Sequence, residues 1–236
     1  MTSPSPRILP PLRARQAMRT PRAAAIAGIV FAVLLGTTLV TTHVVVRSET
    51  PTSWITDESR RSVLLFSLNL TPFTAIAFLW FIGVVRDRLG ADEDRFFATV
   101  FLGSGLAFVF LQLVGSALAI ALVIAESNGV GSERQLWTFG KEATNRVFNT
   151  FSMRMAAVFT MSTSTLAMRL RIAPRWLVFT GFFTAIVLLV LVQAFPWLDL
   201  LFPAWVLALS VNLLITTLRM RHVEDVHVMT VQSHPS

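Results

Sequence analysis

The stretch 97–125, FATVFLGSGLAFVFLQLVGSALAIALVIA, decides the fold. It runs 29 residues without an Asp, Glu, Lys or Arg. About 30 Å of hydrocarbon is crossed at about 1.5 Å per helical residue, so roughly 17 to 25 apolar residues make a span. A stretch this long and this uniformly apolar reads as a membrane helix and not as one face of a soluble domain. Five further stretches repeat the pattern. The expected spans are 23–46, 62–85, 97–125, 147–168, 176–195 and 200–218. The fourth is the least apolar. The predicted fold class is therefore all-α, a polytopic membrane bundle of six transmembrane helices, with a basic tail over 1–22, a membrane domain over 23–218 and a short tail over 219–236.

Composition points the same way. Of 236 residues, 54% are hydrophobic and 14% charged, and the mean hydropathy is +0.65. A soluble domain with that balance would lack the polar surface to cover itself. Cysteine is absent, which removes disulfides, thiolate catalysis, iron–sulfur clusters and cysteine-ligated zinc. The net charge of +7 would suggest nucleic acid in a soluble protein, but beside a bilayer it is matched by anionic headgroups. The expected partners are thus lipid, with anionic headgroups at the cytoplasmic face, and other membrane chains, like or unlike, but no nucleic acid. Nineteen arginines against one lysine, Lys141, with abundant alanine, resemble coding from a GC-rich bacterial genome, and a bacterial plasma membrane is the expected location.

Orientation follows from the basic residues, which collect on the cytoplasmic side of short loops. Arg7, Arg13, Arg15, Arg19 and Arg22 lie in the first tail, Arg86, Arg88 and Arg95 in one alternate gap, Arg169, Arg171 and Arg175 in the next, and Arg219 and Arg221 at the last. The opposite side holds Arg47, Arg60, Arg61, Arg134, Lys141 and Arg146. Thirteen against six places both termini in the cytoplasm. The first apolar run, at about 24 residues, exceeds a signal-peptide core and has no close A-x-A-like site after it, so it reads as a permanent helix. Five prolines before Ala23 preclude a long helix there. Trp176 and Trp197 mark opposite membrane surfaces, Trp54 and Trp137 fall in outer loops, and Phe195-Pro196-Trp197 is short enough to force a hairpin between the last two spans.

Small residues recur every four positions on the first span, at Ala24, Gly28, Ala32 and Gly36, leaving a face that another helix can approach closely. Ser152, Ala156, Thr160 and Ser164 form a similar stripe on the fourth. Packing is the plain reading of both, and a narrow permeation path the alternative. Asp92, Glu93 and Asp94 fit a helix N-terminus, where a carboxylate caps and opposes the dipole; a cation or partner site is the alternative. His222, His227 and His234 lack the spacing of two ligands on one helical face.

Arg154 is the one charged residue well inside an expected span. From Val147 it lies about 10 Å deep, within reach of the interface by snorkelling, or else facing the interior as a binding cation. Thr37, Thr38, Thr41, Thr42, His43, Asn69, Thr71, Gln193 and Asp199 are expected at comparable outer depths. Arg154, Asn69, Gln193 and Asp199 are the candidates for a polar pathway, and helical phase decides whether they converge. Gln112, Asn212 and the run 162–165 are expected to hydrogen-bond across helices or to their own carbonyls.

Catalytic sets are missing. Gly103-Ser104-Gly105 lies in a membrane helix, but Leu102 stands where an intramembrane serine protease has the first glycine of Gly-x-Ser-Gly. No histidine occurs in the later spans to serve as base. Haem would need axial ligands that a lone outer His43 does not supply. No Walker sequence, HExxH or pair of intramembrane aspartates occurs. Neither enzyme activity nor a cofactor is expected.

Two neighbouring segments, FLWFIGVVRDRLG (78–90) and EDRFFATVFLGSG (93–105), make up one helical hairpin that resembles bacterial multi-pass membrane proteins of uncharacterised function. The resemblance covers about a fifth of the chain and implies a multi-pass fold. It transfers no catalytic or ligand residue. Two functions stay open: a non-enzymatic membrane component packed with other subunits or lipid, and a small-solute or ion transporter or channel with a polar site in the outer half of the bundle near Arg154.

Overall fold

A computed structural model describes residues 20–46, 57–89, 95–127, 134–170 and 173–232, and among them every regular element is helical. The α-helices are α1 (Thr20–Val46), α2 (Glu58–Asn69), α3 (Thr71–Leu89), α4 (Arg95–Ser127), α5 (Arg134–Asn145), α6 (Ser152–Leu170), α7 (Arg175–Val190) and α8 (Leu201–Gln232). A π-helical turn, Arg146–Phe151, joins α5 to α6, and a 3₁₀ turn, Pro196–Leu200, leads into α8. Among the described residues four segments are long and apolar enough to cross a bilayer: Ala25–Val45, Glu58–Arg86, Ala98–Ala125 and Trp197–Leu218. Arg175–Val190 is apolar but shorter, and hydroxyl-rich α6 falls outside that set. The sequences at 1–19 and 90–94, including Arg7, Arg13, Arg15 and Arg19 of the first tail and Asp92, Glu93 and Asp94, lie outside the described residues, as do Trp54 and His234, whereas Arg22 falls in the first turn of α1.

The elements differ from the expected spans in ways that have local causes. The second span is broken at Leu70. Pro72 has no N–H to continue the ladder, and the Leu70 N–H turns back to Ser67 O at 3.2 Å. Asp57 starts that segment as a cap, its carboxylate accepting from the Ser59 and Arg60 N–H groups at 3.0 and 3.3 Å. The fourth expected span is the C-terminal part of a longer helical segment, because the π turn carries α5 into α6 without a loop. The last helix continues past 218 to Gln232, through residues read from sequence as a polar tail. Pro21 fits the first turn of α1, where a missing N–H costs nothing.

Neighbouring helices run antiparallel, as side-chain pairings along their length require. Thr38 reaches Ser67 O while Phe31 meets Phe78, so α1 opposes α2 and α3. His43 meets Asp199 while Gly28 lies against Ser210, so α1 opposes α8. Gly115 lies against Phe148 and Gly105 against Phe159, which sets α4 against the π turn and α6. α1 packs most extensively on α3 and α8, and α6 on α4 and α7. The bundle thus closes in the order α8, α1, α3, α4, α6, α7.

Phenylalanine fills the centre. Phe31, Phe78, Phe81, Phe101, Phe108, Phe159 and Phe202 are fully buried or nearly so. Their rings meet at 4.4 Å for Phe31 and Phe78, 5.0 Å for Phe78 and Phe159, and 5.1 Å for Phe108 and Phe202. Such edge and tilted contacts contribute about 0.5–1.5 kcal/mol each beyond simple burial. Meanwhile Phe66, Phe73, Trp80, Phe110, Phe179, Phe183 and Ile186 stand exposed around the circumference. Exposed apolar surface of this extent suits hydrocarbon, not water.

The small residues serve close packing unevenly. Gly28 is buried so tightly that an added Cβ would lie 2.8 Å from the Phe81 ring, and Ala32 is buried on the same face. Gly36 has open space where its Cβ would stand, so the stripe is close-packed over only part of its length. The Ala24 side chain lies outside the described set. On α6, Ser152, Ala156, Thr160 and Ser164 are all completely buried. Ser152, Thr160, Ser162, Thr163 and Thr165 donate to carbonyls four residues back in the chain, which removes these hydroxyl donors from the apolar interior.

The tightest backbone approach is at Gly115, where a Cβ would stand 2.9 Å from Phe148 Cα and 2.8 Å from Phe148 Cβ. Backbone cannot rotate aside as a side-chain tip can. Gly115→Ala is expected to destabilise the bundle by about 1–3 kcal/mol through overpacking. Gly36→Ala and Gly103→Ala, with nothing within 4 Å, should be neutral or gain up to about 1 kcal/mol from helix propensity. Unfolding titrations of the three variants in detergent micelles check the contrast, and equal effects at the three sites would contradict it.

Candidate functional site

The main cluster of polar side chains gathers at the end of the bundle where α1 finishes and α8 begins. His43 sits in the last turn of α1, and Asp199 in the 3₁₀ turn that Pro196 opens. The Asp199 carboxylate is 1% exposed, and both its oxygens reach His43 Nε2, at 2.8 and 3.1 Å. The ring of Trp197 lies over His43 with centroids 4.8 Å apart. A carboxylate this deep requires a donor, since an unpaired buried charge costs several kcal/mol. His43 is that donor, and the pair ties the start of α8 to the end of α1.

Beside it opens a polar cleft of about 230 Å³, lined by Glu142, Asn145, Arg146, Asn149, Thr150, Val192, Gln193 and Asp199. Its floor is the π turn. That turn adds one residue to a helical circuit, which lets Phe148 point into the apolar interior while Asn149 and Thr150 line the cleft. Gln193 Nε2 approaches Thr150 Oγ1 at 3.5 Å, joining the end of α7 to the turn. Asn149 Nδ2 donates to Asn145 Oδ1 at 2.8 Å, and Arg146 Nε to Glu142 Oε1 at 2.7 Å. The last pair is exposed on both sides and contributes little to stability. Together the lining offers amide, hydroxyl, carboxylate and guanidinium groups to a small polar solute or to a partner's side chains.

Of the four sequence candidates, the structure brings Gln193 and Asp199 together in this cleft. Asn69 is elsewhere: it is exposed and donates to Leu65 O on its own helix at 2.8 Å. Arg154 is elsewhere too. It is half-buried in a groove on the outer face between α4 and α6, with Ala107, Phe110, Leu111, Phe151 and Met155. Sequence reading misses Glu142, Asn145 and Arg146, which precede Val147 in an expected outer loop, and Asn149 and Thr150, which open the expected fourth span. The amphipathic pattern along 134–145 is the available signal for the first two. It also placed His43 and Asp199 at the same outer depth without pairing them, since 156 residues separate them.

Ser104 Oγ donates to Val100 O at 2.6 Å and Phe101 O at 3.2 Å, while His43 is engaged by Asp199. Among the described residues no group of three or more His, Asp or Glu is arranged to hold a metal ion. The side chains of His222 and His227 lie outside the described set.

A second cleft at the same end, of about 140 Å³, is apolar and bounded by Leu64, Leu68, Leu122, Val123 and Phe148, with Lys141 at its edge. Phe148 separates it from a small interior cavity. Comparison with protein families, with curated proteins and with solved structures finds no match to this chain.

Proposed function

We propose that the chain is a six-pass protein of a bacterial plasma membrane, with both termini cytoplasmic, that works without catalysis as a component packed against other membrane subunits or lipid. The observation that carries this reading is the phenylalanine core. Seven rings interlock at the centre and fill the middle of the bundle with apolar side chains, while the polar cleft is confined to one end, over the π turn. The exposed apolar circumference supplies the surface for lipid or neighbouring helices. The polar cleft then serves recognition at the non-cytoplasmic surface, where Asn149, Gln193 and Arg146 are available to a partner. Crosslinking in native membranes should capture a neighbour through α5 or the π turn. A protein that runs as a lone monomer in nanodiscs and yields no crosslinked neighbour would remove the basis for this reading.

The transport alternative is favoured by one observation, the collection of Asp199, Gln193, Asn149 and Arg146 in a single cleft. It would place the solute site there and not at Arg154. In reconstituted vesicles that reading requires Asp199→Asn to abolish solute uptake. Arg154→Leu should leave either function intact. It should also favour insertion by about 1–2 kcal/mol, a fraction of the roughly 3 kcal/mol scale for arginine at the centre of a span. A glycosylation-insertion assay measures that gain, and impaired insertion would show that Arg154 holds the bundle together.

A further inference from the structure

Gln112 lies in the middle of α4, 3% exposed, and neither its Nε2 nor its Oε1 has a hydrogen-bond partner. Thr71, at the first position of α3, is 4% exposed, and its Oγ1 is likewise unpartnered. Both residues line one interior cavity of about 10 Å³, walled by Phe31, Leu35, Ala75, Phe108, Val109 and Phe148. Thr38 and Thr74 also border it. Thr38 donates to Leu34 O at 3.0 Å and Ser67 O at 3.1 Å, and Thr74 to Leu70 O at 3.1 Å. Their hydroxyl protons are used, but each oxygen keeps acceptor capacity. An amide and a hydroxyl buried together without partners would each cost about 1–3 kcal/mol, in the part of the bundle where a bilayer supplies no water.

We infer that this cavity is a binding site for a single structural water molecule, held by Gln112 and Thr71 at the break between α2 and α3. The size fits one guest, since a water needs roughly 10–15 Å³ of such space. The chemistry selects water over a cation. A cation would satisfy Gln112 Oε1 but leave the Nε2 donor facing positive charge, and no carboxylate borders the cavity to balance it. Water accepts from Gln112 Nε2 or Thr71 Oγ1 and donates to Gln112 Oε1 or the Thr74 oxygen, so it answers donors and acceptors at once. The position explains why a polar guest belongs here. Pro72 interrupts the second span at this level, and a bridging water ties the start of α3 to α4 across that interruption.

The test is a double-mutant cycle in detergent micelles with Thr71→Val, Gln112→Leu and the pair, read as the folded-to-unfolded ratio. Each single change should lower the ratio about tenfold, because the water and the remaining polar group lose bonds. The pair should return it to within about threefold of the parent, since no polar group is then left unanswered. Losses that simply add would overturn the proposal. So would stabilisation by sodium chloride over choline chloride that disappears in Gln112→Leu, which would make the guest a cation. Should a variant fail to fold, the unmodified protein still decides the matter at high resolution. One solvent peak within hydrogen-bond distance of both Gln112 and Thr71 supports the water, and a rotated Gln112 amide bonded directly to Thr71, Thr38 or Thr74 refutes it.

Discussion

Asp199→Ala is expected to destabilise the protein by about 3–5 kcal/mol, the scale for breaking a buried pair by removing one partner. His43 would keep a buried ring nitrogen with its carboxylate gone, and α1 would lose its tie to the turn before α8. His43→Ala should cost a similar amount, because the 1% exposed carboxylate would then lose the ring nitrogen that both its oxygens reach. Replacing both residues by leucine should recover much of the loss, since a buried pair exchanged for well-packed apolar groups is often neutral. Asp199→Asn keeps the shape and an oxygen acceptor and should fall between. Chemical denaturation of the four variants in micelles checks the order. A change below about 0.5 kcal/mol in Asp199→Ala, the range of ordinary surface substitutions, would mean that the pair does not hold these helices together.

Phe78→Ala follows at about 3 kcal/mol. Phe78 is fully buried and its ring meets those of Phe31, Phe81, Phe108, Phe159 and Phe202, so truncation leaves a cavity bordered by four helices. Removing such a ring costs about 3–5 kcal/mol in water-soluble cores. The lower end applies here because an unfolded membrane helix leaves the ring in lipid, not water, and lost packing carries the cost instead of solvation. Phe73→Ala, at an exposed position on the same helix, is the control and should shift stability by less than about 0.5 kcal/mol. Comparable losses at both positions would argue against Phe78 as the centre of the core. Thermal unfolding followed by tryptophan fluorescence is suited to the comparison, since Trp205 is buried on α8 and donates to Leu177 O on α7 at 3.1 Å.

These two sites show how differently parts of the fold were legible. The apolar runs were readable because membrane thickness sets a length that a single segment meets alone. The hairpin between α7 and α8 was readable because three residues leave no other path. The α6 stripe was readable too, since residues four apart share a helix face, and all four of its members are buried. The polar cleft was only half visible. Gln193 and Asp199 stood out as polar residues near span ends, whereas Asn149 and Thr150 acquire their place from a π turn, and a one-residue change of winding leaves no periodic mark. Arg154 is a lone charge in its span, yet its place in the outer groove between α4 and α6 depends on helix rotation, which is set by packing at Gly105 and Gly115 and not by its own identity.

By itself, then, the sequence determined an all-helical chain with membrane-length apolar segments, small-residue faces suited to close contact, and polar groups clustered toward span ends. Those are properties of segments, dictated by hydrocarbon thickness and helical period. Tertiary structure alone decided that His43 pairs with Asp199, that Phe148 stands between the apolar cleft and the interior cavity, and that Gln112 and Thr71 share that cavity. Such pairings join residues from different helices. They depend on each helix's rotation and depth, which emerge only when side chains of several helices compete for the same space.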